Sequence, residues 1–285
     1  DQLGLDSTGV TFRMSKKFDV MTWTKYFQNT MTYGTAEKDK KLTVTSASIL
    51  DFVRSPQNIS IKTAMLNEHY RSMPALANFT NSNFYDGLLR IMTETPEKIT
   101  KECFAKVKVE GLRDKDKKIE AEAQEIISII KELTLNEQNL FTSKRGINIP
   151  NPKNEVLSIG IISLLQKQKD YIEDLIEQDP QIQKIVDKHK IEVWTPQSAQ
   201  GNERDIIIIS IGLDSSCTGQ GSYYKDKRRL NVATSRARKF TIAVYCDFKE
   251  DKYSEINKYL NLTANQIEWK LDHSKYESEF EVKVY

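Results

Sequence analysis

The sequence predicts an α/β protein in which a parallel sheet carries helices on both faces. Two observations lead to this prediction. Beyond residue 61, short runs rich in β-branched residues alternate with segments of helical periodicity. Several of these runs, such as 157–163 and 205–211, are apolar throughout, as strands are when both faces of their sheet are buried. Strands separated by helices in this way pair in parallel, and the helices then cover the sheet.

The N-terminal part of the chain shows little regular pattern before the first strong helix signal. Residues 1–60 are irregular apart from a short helix predicted over 46–53, and we interpret them as a trailing or connecting segment. Pro74 then favours a helix start, because its fixed φ suits the first helical position, and Gly87 marks the predicted end. The aromatic residues of this helix have helical spacing and are assigned to the core: Phe79, Phe84 and Tyr85.

The rest of the chain is predicted to form strands and helices in turn: strands over 104–109, 157–163, 191–195, 205–211 and 240–246, and helices over 117–133, 166–177, 227–238 and 253–260. The stretch 134–155 is a long polar insertion. Ligands of such sheets bind at the carboxyl ends of the strands. We therefore expect the chemistry in the loops that follow Ser163 and Thr195.

The charge balance does not by itself indicate a nucleic-acid partner. Among 285 residues, 42 Lys and Arg face 40 Asp and Glu, which leaves a formal net charge of +2. A groove can be basic locally while the sum stays near zero, so the functional prediction rests on motifs.

Cysteine spacing and hydropathy argue against several other classes of protein. Cys103, Cys217 and Cys246 are far apart, and the three histidines do not cluster with them, so neither a zinc site nor a disulfide framework is indicated. No apolar run approaches the ~20 residues of a membrane span, and the first residues form no signal pattern. We expect a soluble, cytoplasmic protein with no membrane partner.

The loop before the predicted strand over 205–211 is the first segment that indicates chemistry. It reads Thr195-Pro196-Gln197-Ser198-Ala199-Gln200-Gly201-Asn202-Glu203-Arg204-Asp205. Gly201 permits backbone conformations that other residues resist, while Glu203 and Arg204 offer an acceptor and a cation at the edge of the sheet. Taken alone, the loop is equally consistent with a solvated turn.

Two further segments place arginines beside small or aromatic residues. On the predicted helix over 227–238, small residues surround Arg236 in the run Arg229-Leu230-Asn231-Val232-Ala233-Thr234-Ser235-Arg236-Ala237-Arg238. A planar, permanently charged guanidinium suits a transferring phosphoryl group, because it stabilises the charge that develops in the transition state. The third segment precedes the helix at Pro74 and reads Leu66-Asn67-Glu68-His69-Tyr70-Arg71-Ser72-Met73-Pro74.

Together, in this order, these segments resemble the "QYRxxP", "QGxExD" and "RLNVAxTRA" signatures of superfamily 1 helicases. The resemblance runs from Leu66 to Cys246 and includes 158–168, which is similar to the family's "IgIITPYxxQ" segment. Residues 1–4 resemble the end of its "GDxxQLxP" motif, and 48–51 the "SLLE"-type helix. Leu164-Leu165 in place of Pro-Tyr, and Leu5 in place of Pro, depart from these patterns. The resemblance implies a RecA-like P-loop NTPase fold.

The resemblance also implies roles for particular residues. The γ-phosphate of ATP would be met by Gln2 and by two arginine fingers, Arg71 and Arg236. The rest of the nucleotide would be bound by Gln200, Gly201, Glu203 and Tyr70, with Glu203 accepting a hydrogen bond from the ribose and Tyr70 lying near the base. A DNA or RNA single strand would be contacted through its sugar-phosphate backbone by Ser163, Gln168 and Thr195.

A phosphate loop of the GxxxxGK[ST] type and a DExx acidic pair are missing from the sequence. The resemblance assigns both to a first motor domain, which would also supply the ligands for the Mg²⁺ that accompanies ATP. We accordingly expect 1–60 to be the trailing part of that first domain with a connector, and 61–265 to be the second motor domain. The tail, 266–285, resembles at 276–281 the lead-in to nuclease-like domains behind some helicases.

The resulting expectation is the C-terminal motor domain of an ATP-dependent helicase or translocase, inactive on its own and partnered in cis by the first motor domain. The alternative from another class is a nucleic-acid-binding regulatory ATPase that switches conformation without unwinding. A third reading is an α/β domain whose arginines form structural ion pairs. Arg71 and Arg236 buried against carboxylates would favour that third reading.

Overall fold

A computed structural model of the chain describes residues 66–95, 98, 102–134, 141–142, 148–149, 151, 155–217, 224 and 226–262. The segments predicted over 1–60 and 266–285, the helix predicted over 46–53 and the predicted γ-phosphate residue Gln2 lie outside the described residues. Everything below concerns the described part of the chain.

Strands and helices alternate along the described chain, as the sequence predicts. The strands are β1 (Glu68–His69), β2 (Arg90–Ile91), β3 (Phe104–Lys108), β4 (Phe141–Thr142), β5 (Asn148–Ile149), β6 (Ile159–Ser163), β7 (Glu192–Trp194), β8 (Arg204–Ser210) and β9 (Ala237–Tyr245). The helices are α1 (Pro74–Phe84), α2 (Glu120–Thr134), α3 (Gln166–Gln178), α4 (Pro180–Gln183), α5 (Val186–His189), α6 (Lys227–Thr234) and α7 (Ser254–Leu260), with a 3₁₀ turn at Glu250–Lys252.

Five strands form one parallel sheet in the order β3–β9–β8–β6–β7. The central strands β6 and β8 are buried along their length apart from Arg204, because neighbouring strands and helices enclose them. Their continuous isoleucine-rich sequences are what such double burial requires. Two small sheets accompany this one: β1 pairs in parallel with β2, and β4 pairs antiparallel with β5 in the predicted insertion.

Helices cover both faces of the five-stranded sheet. On β9, Thr241 and Val244 are three residues apart and therefore point to opposite faces. Thr241 is in register with Phe104, whose ring lies 5.1 Å from that of Tyr259 in α7. Val244 is in register with Ser210, whose hydroxyl donates to a carboxylate on α2 at 2.6 Å. The predicted α/β fold with a parallel sheet and helices on both faces is confirmed.

One helix is shorter than predicted. The sequence predicts a helix over 227–238, whereas α6 ends at Thr234 and β9 begins at Ala237. Thr234 donates its hydroxyl to the carbonyl of Leu230 at 2.9 Å, and Ser235 leaves the helical conformation at ψ 6°. Ala237 pairs with Arg204 in the sheet. Pairing with β8 therefore places Ala237 and Arg238 in a strand, although their composition favours a helix.

No helix among the described residues is both long and apolar enough to cross a membrane. The three cysteines are buried and unbonded to one another.

Candidate functional site

Three predicted site residues that are far apart in the sequence meet at one edge of the sheet. Glu203 directly precedes β8, Arg236 lies in the two-residue turn between α6 and β9, and Arg71 lies in the bend before α1. The backbone N–H of Arg204 donates to the carbonyl of Arg236 at 3.2 Å, which joins the starts of β8 and β9. The amino ends of β8 and β9 therefore form the floor of this site.

Arg71 and Glu203 form its central ion pair. The Nε of Arg71 donates to Oε2 of Glu203 at 2.5 Å, and its NH1 donates to the carbonyl of Ser235 at 3.4 Å. The side chains of Arg71 and Glu203 are 33% and 38% exposed, respectively. Because both charges still face solvent, a ligand can reach them, and the Coulomb energy of the pair is screened by water.

The bend that presents Arg71 is held by a neutral histidine. The N–H of Ser72 donates to Nε2 of His69 at 3.0 Å, and the hydroxyl of Thr93 donates to the carbonyl of Ser72 at 2.6 Å. Burial, followed by the positive charge of Arg71, lowers the pKa of His69. The unprotonated ring is the form that accepts this hydrogen bond, so His69 occupies the Gln position of the "QYRxxP" signature as an acceptor.

Arg236 is the largest fully buried side chain of the described domain. Its Nε donates to the carbonyl of Val232 at 3.1 Å and its NH1 to the carbonyl of Asn202 at 3.4 Å. Burial and the charge of Arg71 lower the pKa of Arg236 to about 10, against opposing effects of Tyr85 and Glu203. The guanidinium therefore keeps its positive charge at neutral pH.

The hypothesis that Arg71 and Arg236 form buried structural ion pairs agrees with the structure only in part. Arg71 does face a carboxylate, that of Glu203, but the pair is open to solvent. The hydrogen bonds that Arg236 makes to Val232 and Asn202 go to backbone carbonyls, and the negative charge of Glu203 favours the charged form of Arg236.

A cavity of about 440 Å³ opens beside the ion pair, and its wall includes Tyr70, Arg71, Tyr85 and Glu203. Tyr70 is 66% exposed and donates its hydroxyl to Glu68 at 2.5 Å. The sequence assigns Tyr85 to the core, but helix α1 ends at Phe84 and leaves Tyr85 at the cavity wall. There its hydroxyl accepts a hydrogen bond from Nδ2 of Asn231 at 3.3 Å.

The turn that contains the predicted residues Gln200 and Gly201 lies on the surface. Gly201 has φ +88°, a left-handed conformation that favours glycine, and no atom lies within 4 Å of where a β-carbon would stand. Glycine is thus required by the backbone of this turn, and the space beside it is open to a ligand. Gln200 is exposed on the same turn.

The three residues predicted to contact a nucleic-acid strand lie at the other end of the sheet. Ser163 and Thr195 directly follow the paired residues Ile162 and Trp194, so they are neighbours at the carboxyl edge. Ser163 is fully buried and hydrogen-bonds the backbone of Leu165, and Thr195 bonds with Ser198 in a tight turn. Both are therefore engaged within their own loops in this structure.

Gln168 is also fully buried, in the first turn of α3. Its amide oxygen accepts from the N–H of Ile119 at 2.8 Å, and its amide nitrogen donates to the carbonyl of Ile119 at 3.0 Å. This arrangement leaves no exposed side-chain atom for a strand. Both polar atoms of the Gln168 side chain are used by Ile119 in this structure, and its contact with a nucleic-acid backbone stays a prediction.

The charged cluster lies at the amino ends of β8 and β9, whereas the sequence placed the expected chemistry in loops that follow the carboxyl ends of strands. Because β7 and β8 are parallel, the segment 195–203 has to run from the carboxyl edge at Thr195 to the amino edge at Glu203. One continuous loop therefore supplies residues to both edges. Sequence periodicity describes the strands on either side of it but not the path between them.

Arg238 is a functional candidate that the motif reading passed over. It lies in β9, and its guanidinium reaches toward Glu203 and Asp205. The sequence does show Arg238 two residues after Arg236. The predicted helix over 227–238 would direct the side chains of these two residues to different sides, so it does not assign Arg238 to the site.

The side chains at this site match some of the chemical groups of a nucleoside triphosphate. Arg71 and Arg236 offer cations for phosphate oxygens, Glu203 offers an acceptor for hydroxyl groups, and Tyr70 and Tyr85 offer aromatic surface. Among the described residues, no group of three or more His, Cys, Asp or Glu side chains is placed to bind a metal ion. The geometry thus suits the anionic and ribose parts of the ligand.

Comparison with known proteins assigns the chain to a family. Residues 45–247 match the family model AAA_12, described as an AAA domain. The chain is 28% identical over 229 residues, 75% of its length, to the uncharacterised ATP-dependent helicase MG140 of Mycoplasma genitalium, and covers 19% of that protein. It is 33% identical over 121 residues to the DNA replication ATP-dependent helicase/nuclease DNA2 of Gallus gallus, with 42% of this chain and 12% of that protein covered.

A third relative is the regulator of nonsense transcripts 1 homolog of Arabidopsis thaliana, 28% identical over 193 residues, with 63% of this chain and 14% of that protein covered. The chain spans about a fifth or less of the length of each of these relatives. The family match covers most of the chain, and its range contains the whole five-stranded sheet and the arginine cluster. The chain therefore belongs to the AAA_12 family and is a RecA-like motor domain of the superfamily 1 helicase type.

Proposed function

We propose that this chain is the second motor domain of an ATP-dependent superfamily 1 helicase or translocase acting on DNA or RNA. In this proposal it contributes arginine fingers to an ATP site shared with a first motor domain. The observation that carries it is the convergence of Arg71, Glu203 and the buried Arg236 at the amino edge of the sheet, where Arg71 and Glu203 line an open cavity.

The two arginines would act on the triphosphate. Arg236 is charged and buried, and its NH1 donates to the carbonyl of Asn202 at 3.4 Å. In this proposal NH1 exchanges that carbonyl for a γ-phosphate oxygen, which is a charged and therefore stronger acceptor. A guanidinium at this place stabilises the charge on the transferred phosphoryl group. Arg71 would leave Glu203 and approach the same phosphate from the bend before α1.

Glu203, Gly201, Gln200 and Tyr70 would bind the rest of the nucleotide. A half-exposed carboxylate accepts hydrogen bonds from ribose hydroxyls, and the exposed ring of Tyr70 provides a surface for the base. Mg²⁺ would be bound by the first motor domain together with the phosphates, where it neutralises charge.

Ser163 and Thr195 would contact the sugar-phosphate backbone of the strand at the opposite edge of the sheet. Both residues are buried, with hydroxyls bonded to Leu165 and Ser198, so a strand would have to draw these loops open before the hydroxyls could contact it. Such contacts hold register without reading bases. The loop 195–203 joins this edge to Glu203. Closure and opening of the two motor domains around ATP would then move the strand contacts relative to each other.

Replacement of Arg236 tests the catalytic part of the proposal. In the protein that carries this chain together with its first motor domain, Arg236→Ala should lower kcat for ATP hydrolysis by about 10³ or more, because transition-state charge loses its partner. Lys258→Ala is the matched control, since it removes an exposed cation from α7 far from the site.

Thermal unfolding of the Arg236→Ala protein, together with Arg236→Gln, separates lost folding from lost chemistry. Folded variants with near-normal turnover would refute the finger role. Strand-displacement and translocation assays address the rest: vigorous, strand-stimulated ATP hydrolysis without displacement or directional movement would replace the helicase proposal by a regulatory ATPase that switches without unwinding.

A further inference from the structure

Arg238 bridges two carboxylates at the edge of the arginine cluster. Its NH2 lies 3.3 Å from Oδ1 of Asp205, and its NH1 lies 3.6 Å from Oε1 of Glu203. A planar guanidinium can face two carboxylates at once, which a lysine ammonium on a single flexible stem does less well. Arg238 thus links Glu203, which is proposed to bind ribose, to the buried carboxylate of Asp205.

Asp205 is the fixed end of this bridge. It is 9% exposed, and its Oδ2 accepts hydrogen bonds from the N–H of Ser158 at 2.9 Å and from the Ser158 hydroxyl at 2.7 Å. Burial opposes ionisation of Asp205, but the Ser158 hydrogen bonds and the charges of Arg238 and Lys239 outweigh it, so its pKa is lowered. Asp205 is a buried anion whose position is set by the core.

The position of Arg238 is independent of the Arg71 side chain. Its backbone belongs to β9, next to the pair Arg204–Ala237, and its carbonyl accepts the N–H of Met73 at 3.0 Å. Glu203, in contrast, is held from both sides: Oε2 by Arg71 and Oε1 by Arg238. If Arg71 moves from Glu203 to a phosphate, Arg238 remains in contact with the Glu203 carboxylate.

We propose that Arg238 is a positioning residue that keeps the Glu203 carboxylate in its ribose-binding orientation after Arg71 has moved to the nucleotide phosphates. This proposal rests on the proposed function, in which Glu203 accepts a ribose hydroxyl. Without Arg238, Glu203 would lose its remaining cation and turn toward water, so the site would bind ATP less well and recognise its ribose less sharply.

The test compares ATP with its 2′-deoxy and 3′-deoxy analogues in the protein that contains both motor domains. For the wild type, kcat/KM should favour ATP over at least one analogue by about tenfold or more, the effect of a hydrogen bond to a charged acceptor. Arg238→Gln should reduce that preference to within about twofold of none. It should also raise KM for ATP about tenfold while kcat changes less than about threefold.

Lys239→Gln is the matched control, because Lys239 lies 4.0 Å from the same Asp205 and 3.0 Å from Glu155 but makes no ion pair with Glu203. It should keep the ribose preference. Arg238 is 42% exposed, so its replacement should leave the thermal unfolding midpoint within a few degrees of the wild type. Should Arg238→Gln fail to fold, Arg238→Lys, which keeps the charge but not the fork, should still lose part of the preference.

Glu203→Gln separates the failure of this proposal from that of the proposed function. If Glu203→Gln abolishes the ribose preference while both Arg238 variants retain it, the positioning role of Arg238 is overturned and the role of Glu203 stands. If the wild type has no preference, or Glu203→Gln keeps it, the ribose assignment of Glu203 fails and the Arg238 proposal fails with it.

Discussion

At the scale of single residues, Glu122 is the most unusual charge outside the arginine cluster. It lies in α2 and is fully buried, and it accepts a hydrogen bond from the Ser210 hydroxyl at 2.6 Å and from the N–H of Gly212. Burial raises the pKa of Glu122 to about 7, although these hydrogen bonds and the charge of Arg113 act in the opposite direction. The carboxyl group is therefore partly protonated near neutral pH.

The raised pKa makes the stability of the domain depend on pH. Between about pH 4.5 and 7 the folded state binds a proton that the unfolded state has lost, so the free energy of unfolding falls as pH rises through this window. The loss attributable to Glu122 is at most roughly 3 kcal/mol, from the shift of its pKa. Glu122→Gln should remove this slope, as measured by denaturant unfolding at a series of pH values.

Glu120→Gln, at an exposed position of the same helix, is the control and should retain the slope. An unchanged slope in Glu122→Gln would show that Glu122 does not titrate with a raised pKa in the folded protein.

At the scale of elements, the start of α3 is joined to the start of α2 through one buried amide. Gln168 makes paired hydrogen bonds to the N–H and carbonyl of Ile119, the residue that precedes α2. Ile119 is fully buried, and although its carbonyl also accepts from the N–H of Ala123, its N–H needs the acceptor that Gln168 provides. The same residue is the predicted strand contact of the helicase motif.

Gln168→Ala should therefore destabilise the domain by about 1–3 kcal/mol, because the buried N–H of Ile119 would lose the acceptor that Gln168 provides. The carbonyl of Ile119 would keep the N–H of Ala123 as a donor at 3.3 Å. Lys167→Ala, at the exposed neighbouring position, should change the free energy of unfolding by less than about 0.5 kcal/mol. Denaturant unfolding of both variants provides the measurement. A Gln168→Ala protein of wild-type stability that binds single strands less tightly would support the predicted nucleic-acid contact and contradict the structural role.

At the scale of the whole molecule, the arginine cluster is a charge arrangement that needs an opposing surface. Arg71 and Arg236 can complement the phosphates, but the sequence contains neither a phosphate loop nor a DExx pair that would bind them with Mg²⁺. In the proposed function those ligands belong to the first motor domain. The open cavity beside Arg71 and Glu203 is consistent with a site that closes only when a partner domain arrives.

The isolated chain should consequently hydrolyse no ATP above background, with or without a single strand. The measurement is phosphate release at increasing concentrations of the chain, alongside the protein that includes the first motor domain. Turnover that scales with the concentration of the isolated chain and disappears in Arg236→Ala would contradict a shared site and indicate a complete one within these 285 residues.

The sequence by itself determined the α/β class, the parallel sheet, the order of its strands and helices along the chain and the family. These depend on local properties: apolar runs report burial on both faces, helical periodicity reports one buried face, and the motifs are contiguous. The isoleucine-rich strands β6 and β8 were therefore predictable to within two residues. The motifs also singled out Arg71, Glu203 and Arg236 before any contact between them was visible.

Only the tertiary structure decided where these residues meet and what they touch. It placed the arginine cluster at the amino edge and Ser163 and Thr195 at the carboxyl edge, because the loop 195–203 has to cross between parallel strands. It ended α6 at Thr234, since pairing with β8 outcompetes helix propensity, and so brought Arg238 to Glu203. Contacts between residues distant in the chain arise from strand pairing and crossover paths, which periodicity does not encode.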